Sequence, residues 1–181
     1  MRFRLHYSGP LHANADERRK HEIRRSIHPQ LATIWESPAL NFRKQDWVHP
    51  TKRESWFRKR GPFDFVPMVN HTLFSIASLQ ITWLRPGELG SIVSKSGDID
   101  NRLKTLFDAL RVPDTSPTNT QPASGETPFY CLLDDDSLIT EVDVVSDRLL
   151  VPNMDPNHVE MIIGVKIRSS RETLGQVGWW A

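Results

Sequence analysis

Gly97-Asp98-Ile99-Asp100-Asn101-Arg102-Leu103-Lys104-Thr105-Leu106-Phe107-Asp108-Ala109-Leu110-Arg111 is the stretch on which the reading of the fold turns. Leu103, Leu106, Phe107 and Leu110 recur at helical spacing and form an apolar stripe, while Asp100, Lys104, Asp108 and Arg111 fall on another face. The segment predicts a short helix over 101–111, entered from extended chain that carries Asp98 and Asp100. In extended chain positions i and i+2 point to one side, so both carboxylates are expected to reach one cation. Asp100 stands where a helix N-cap belongs, and Lys104 follows it on the helix. A second acidic cluster, Asp134-Asp135-Asp136-Ser137, comes later in the chain. Hard divalent cations take carboxylate oxygens and keep positions open for water and phosphate, a set that can stabilise in-line displacement at phosphorus. Each piece has a plainer reading. An Asp-x-Asp is common, an aspartate triplet is often a solvated turn, and Lys104 has Asp108 as an i, i+4 partner.

Outward from this helix the chain alternates strands and helices. Phe3, Leu5 and Tyr7 alternate with Arg2, Arg4 and His6, a half-buried strand that ends at Ser8-Gly9-Pro10. Asn14 and Glu17 have the spacing of a capping box. A helix is expected to follow, with Ile23, Ile27, Leu31 and Ile34 inside, Pro29 breaking or kinking it, and Arg18, Arg19, Lys20, Arg24 and Arg25 over its remaining surface. His71 to Trp83, Ser137 to Val145 and Val159 to Ile167 are further expected strands. Residues 113–130 are rich in proline, serine and threonine and are expected to form a flexible loop. Residues 36–62 interleave Trp47, Trp56 and Phe57 with Arg43, Lys44, Lys52, Arg53, Arg58, Lys59 and Arg60. Such tryptophans usually anchor a small core, and the basic residues remain candidates for DNA contact. The tail ends in Trp179-Trp180-Ala181, and no internal repeat is visible. The pattern is that of a single α/β (α+β) domain over 1–181, a small mixed β-sheet packed with helices.

The 181 residues carry a net charge of +1, which conceals an asymmetry. Residues 1–60 hold fourteen Lys/Arg against six Asp/Glu, and the remainder holds nine against sixteen, so +8 and −7 sum to +1. A basic half beside an acidic half suits a metal-dependent nucleic-acid enzyme, with phosphate grips in one place and carboxylate ligands in another. The single cysteine, Cys131, excludes an internal disulfide framework and the cysteine-based zinc patterns. No apolar run reaches the length of a membrane span and the first residues lack a signal-peptide core, so a cytoplasmic protein of bacterial or phage origin is the expectation.

Asp98-Ile99-Asp100-Asn101-Arg102-Leu103-Lys104, then Phe107-Asp108-Ala109-Leu110, then Asp135-Asp136-Ser137 resembles the RusA family of Holliday junction resolvases. That family's signature is similar to Asp-x-Asp-Asn-x-x-Lys, then Asp-Ala-Leu, then Asp-Asp-Ser/Ala. The resemblance implies a RusA-like fold and a homodimer that cuts four-way DNA junctions symmetrically with Mg²⁺ or Mn²⁺. It implies Asp98, Asp100 and Asp136 as metal ligands, with Asp135 beside them. Lys104 would be the essential lysine, Asn101 would fix the turn or touch substrate, and Asp108 would be structural. The chain departs from the family in Lys95-Ser96-Gly97, in the long 113–130 connection and in the size of 11–70. Two other readings stay open. One is a related nuclease acting on flaps or on other branched or invading DNA. The other is a metal-free DNA-binding or assembly protein whose carboxylates are surface groups.

Overall fold

The computed structural model describes residues 1–38, 40, 57–86, 99–117 and 120–170. Seven strands and two helices are formed among them, in two mixed sheets rather than one. The larger sheet contains β1 (Arg2–Pro10), β4 (Ser75–Arg85), β6 (Ile139–Arg148) and β7 (His158–Ser169) in the order β1-β7-β4-β6. β7 is antiparallel to both its neighbours, and β6 is parallel to β4. The smaller sheet has the order β2-β3-β5, from β2 (Arg58–Arg60), β3 (Phe63–Val69) and β5 (Phe129–Leu133).

Period-two patterning sets the larger sheet's faces. Leu5 and Tyr7 on β1, Ala77, Leu79, Ile81 and Trp83 on β4, and Val159, Met161, Ile163, Val165 and Ile167 on β7 are buried in one core. The other face of the same strands is mostly polar, with Ile162 exposed among the polar residues. Helices α1 (Glu17–Trp35) and α2 (Ile99–Leu110) supply Ile23, Ile27, Leu31, Trp35, Leu106 and Leu110 to that core. Gln30 of α1 also binds the backbone of His6, accepting from its N–H at 2.8 Å and donating to its C=O at 2.7 Å. Those bonds satisfy edge groups on β1.

In the smaller sheet β3 and β5 are buried on both faces, while β2 is at the surface. Val66, Met68, Tyr130 and Leu132 join the main core, while Phe63, Phe65, Phe129 and Cys131 form a second cluster with Val112. β3 and β5 run parallel, and every residue of β5 is buried, so neither strand shows a polar/apolar alternation. Pro67 fits within β3 because β2 pairs only with Phe63, Asp64 and Phe65. Gly61, at φ +57, turns β2 into β3.

Several local expectations change. The N-cap of α1 is Asp16, whose carboxylate accepts from the Arg19 N–H at 2.9 Å; Asn14 lies before it at φ +52. α1 is not broken at Pro29, which sits on the exposed side and whose carbonyl accepts from the Thr33 hydroxyl at 3.0 Å. His71–Leu73 forms a short 3-10 turn and β4 begins only at Ser75. Of the 113–130 connection, the described part is tied down rather than loose: Asp114 pairs with Arg111 at 2.7 Å and Glu126 with Arg25 at 2.8 Å. Trp47, Trp56, Trp179 and Trp180 lie outside the described residues, as do Arg43, Lys44, Lys52 and Arg53.

Candidate active site

The helix that opens the candidate site starts two residues earlier than the sequence pattern implied. α2 begins at Ile99, so Asp100 is a residue of its first turn and not its N-cap. Asp100 is thus helical rather than extended, and Asp98, its expected companion on one cation, lies outside the described residues. A carboxylate in a helix's first turn is favoured by the backbone dipoles, which place partial positive charge there. Lys104, one turn on, is exposed like Asp100, while Thr105, Leu106, Ala109 and Leu110 face inward. The Asn101 side chain is half-buried.

The three consecutive aspartates have three different situations. Asp134 accepts two hydrogen bonds from the Arg58 guanidinium, from Nε at 2.9 Å and Nη2 at 2.8 Å, and its carboxylate is 12 % exposed. Asp135 caps the 3-10 turn Asp136–Leu138 by accepting from the Ser137 N–H at 2.9 Å. Hydrogen bonding from Ser137 holds its carboxyl below the ordinary aspartate value, with smaller help from Arg111 and His71. Asp136 is exposed at the start of that turn. Asp108 is held by Lys20 at 2.8 Å and by Arg111 at 3.4 Å, so it is structural as expected and does not take Lys104 as its partner.

The second acidic cluster reaches α2 through the turn that follows it. The turn Asp136–Leu138 packs against that helix, with Leu138 in the core. The start of the triplet is tied to the helix's far end, since Val112 N–H donates to the Leu133 carbonyl at 2.9 Å. From Asp100 to Leu110 the helical rise is about 15 Å. Among the described residues no three His, Cys, Asp or Glu side chains come together as a metal-binding group, so Asp100, Asp135 and Asp136 do not by themselves form one.

The basic helix is also rearranged relative to its expected surface role. Arg24 is 3 % exposed and donates from Nη2 to the Asp108 carbonyl at 2.8 Å and from Nε to the Arg111 carbonyl at 3.2 Å. It thereby satisfies carbonyls at the C-terminal end of α2. Lys20 and Arg25 are engaged by Asp108 and Glu126, which leaves Arg18 and Arg19 as the exposed cations of that run.

Two groups of polar residues escaped the sequence reading. His28 accepts from the Tyr130 N–H on Nδ1 at 2.9 Å, so its Nε2 carries the proton donated to the Gly125 carbonyl at 3.0 Å. His21 is buried against Phe63 and Phe129, and desolvation, followed by the charges of Arg25 and Arg24, pushes its pKa down to about 4. On the open sheet face, Glu160 gathers His6 at 3.0 Å, His158 at 3.1 Å and the Ser8 hydroxyl at 2.6 Å. Only the antiparallel register of β1 against β7 brings these four together, which single-strand periodicity cannot foresee.

Compared with known proteins, the chain matches no family model, no curated relative and no solved structure. No helix among the described residues is long and apolar enough to cross a membrane.

Proposed function

We propose that the protein is a divalent-metal-dependent endodeoxyribonuclease similar to the RusA family, acting on branched DNA and first of all on the four-way junction. The observation that carries this reading is the set Asp100, Lys104 and Asp136. All three are exposed, two on the first turns of α2 and one on a turn packed against α2. Of the neighbouring acids, Asp108 is paired with Lys20 and Arg111, and Asp134 with Arg58. Asp136 is thus the member of the triplet that remains available, in keeping with the register of the motif.

The donors suit the ion in kind. Carboxylate oxygens are hard ligands, and exposed ones leave coordination positions for water and phosphate. Asp98, Asp100 and Asp136 would hold Mg²⁺ or Mn²⁺, with Asp135 beside them. When bound, the ion supplies a Lewis acid for the phosphoryl oxygen and a more acidic water. Lys104 presents an ammonium on the same helix face as Asp100, where it meets negative charge developing on a phosphate. Asp135, kept ionised by Ser137, adds to the negative potential that draws the cation.

Cleavage of a synthetic four-way junction in Mg²⁺ and in Mn²⁺ tests the proposal, with linear duplex and flap substrates alongside. Asp100→Asn is expected to lower cleavage by roughly 100-fold or more while junction binding is kept, because a group needed only for the reacting state is lost. Full activity of that variant would sink the proposal. Preferential cutting of flaps would redirect it to another branched substrate, and binding without any cleavage would favour the metal-free DNA-binding reading.

A further inference from the structure

Hydrogen-bond register arranges one end of the larger sheet's open face into two cross-strand rows. Arg2, Lys166, Ser78 and Glu141 stand side by side in the first, on β1, β7, β4 and β6. Arg4, Gly164, Gln80 and Asp143 make the second. Three cations therefore share the β1–β7 side and two carboxylates the β6 side. Three strand spacings, about 14 Å, keep the two groups apart. Among the described residues Arg2, Arg4, Lys166 and Glu141 have no ion-pair partner. Arg2 and Lys166 are moreover like charges directly opposite, which is unfavourable without an anion to meet them.

A cavity of about 560 Å³ lies over these rows, a size within the about 300–1,000 Å³ of small-molecule sites. Gly164 belongs to its floor, where a side chain would stand 3.5 Å from the Gln80 Cβ and fill the middle of the second row. The Ser78 hydroxyl, also in the lining, is buried and has no hydrogen-bond partner among the described residues. On the β6 side Asp143 accepts from the Gln80 amide at 3.4 Å.

A molecule that satisfies both sides carries an anion at one end and N–H donors at the other. Two guanidiniums and an ammonium suit a phosphate, whose several oxygens take forked and single donors together. Carboxylates only accept, so the opposite end of the ligand must donate. Among the nucleotide bases guanine has two adjacent donors, the ring N1–H and the exocyclic N2–H₂, which one carboxylate takes in parallel. Adenine, cytosine, thymine and uracil each set an acceptor beside their donor, and that acceptor would face the carboxylate.

We propose that this cavity binds a free guanine nucleotide. The phosphate lies on Arg2, Arg4 and Lys166, the base lies over Gly164, and Asp143 accepts from N1–H and N2–H₂. Ser78, between the two charged sides, is placed for a ribose hydroxyl. The site stands apart from the nuclease reading. A junction nuclease that ignores the nucleotide would overturn this site alone, and an inactive protein that binds it would overturn the nuclease alone.

Calorimetric titration of the full chain at low salt with GMP, AMP, guanosine and inorganic phosphate tests the site. GMP is expected to bind once per chain, at least about tenfold more tightly than the other three, since each of them leaves one side of the cavity unmet. Arg4→Gln should weaken GMP at least about tenfold and leave guanosine unchanged. Asp143→Asn should turn the preference from GMP to xanthosine monophosphate, because an amide nitrogen donates to the xanthine O2 where the carboxylate accepted from guanine N2. A damaged fold would lower both affinities and could not exchange them. Both positions are exposed, so circular dichroism of each variant should match the wild type. Absence of GMP binding at about 1 mM would overturn the site. So would equal affinity for AMP, inorganic phosphate binding as well as GMP, or an Asp143→Asn variant that keeps the wild-type order. A guanine-free single-stranded oligonucleotide that binds more tightly than GMP would overturn it too, and would make the face a grip for a strand.

Discussion

On helix α1, Arg24 gives its guanidinium to the Asp108 and Arg111 carbonyls, Lys20 meets Asp108 and Arg25 closes on Glu126. On the open sheet face, Arg2, Arg4 and Lys166 reach solvent with no anion of their own among the described residues. Both regions are basic in sequence, and their charges have opposite uses. A helix lies against its neighbours on more than one side, so basic residues beside its apolar stripe find carbonyls and carboxylates of α2 and of the following connection. A strand sends alternate residues to a face that no described element covers, so its basic residues are exposed there. The sum of charge over residues 1–60 counted these two populations as one. Among the described basic residues of 1–60, Arg2 and Arg4, with Arg18, Arg19 and Lys59, remain exposed candidates to grip phosphate or an acidic surface.

The contrast is broken most directly at Arg24. Replacing it with methionine keeps much of the apolar stem but leaves the Asp108 and Arg111 carbonyls without their donor. A charge-assisted bond at a buried site contributes about 1.5–3 kcal/mol, so Arg24→Met should cost about 3 kcal/mol of stability in urea unfolding. Loss of less than about 0.5 kcal/mol would mean that α1 holds its cations as loosely as the sheet does.

A second test uses His21, one helical turn from Arg24 and Arg25. Its pKa is about 4 in the native state, lowered first by burial, against about 6.5 when unfolded. Between those values the unfolded chain binds a proton that the native state refuses. Stability therefore falls as pH drops from about 6.5 to about 4, by about 1.4 kcal/mol per pH unit, and this contribution levels off below that. His21→Phe, which retains a ring against Phe63 and Phe129, should flatten this slope. Urea midpoints at pH 7, 6 and 5 measure it, and an unchanged slope would remove His21 as the cause.

Legibility in the sequence follows the same division between what one element dictates and what two must build together. β1, β4 and β7 were readable because one face is buried and the other open, which leaves a period of two in the residues themselves. β3 and β5 were not, since Phe129-Tyr130-Cys131-Leu132-Leu133 is apolar throughout and Pro67 argues against a strand. At the candidate site, the helix bearing Lys104 and the structural role of Asp108 were legible. The different fates of Asp134, Asp135 and Asp136 were not, because they depend on Arg58 arriving from β2 and on a 3-10 turn closed by Ser137. The Asp100 cap failed for a local reason: the helix could start at Ile99 as readily as at Asn101, and propensity rarely separates boundaries two residues apart.

The smallest expected effect completes the comparison from within α1 itself. Arg18 lies on the same helix as Arg24 but on its outer side, with its side chain 69 % exposed and 3.7 Å from Glu22. Exposed pairs at i, i+4 gain little, since water screens the attraction and two long side chains lose freedom to make it. Arg18→Ala should therefore change stability by less than about 0.5 kcal/mol, and alanine's helix propensity offsets part of that loss. The pair Arg18→Ala and Arg24→Met holds the element and the residue type fixed and varies burial, so their difference in urea midpoint isolates what the fold does with a cation. If Arg18→Ala proved as costly as Arg24→Met, charge on α1 would matter irrespective of where it points, and the division between tied and available cations would lose its physical basis.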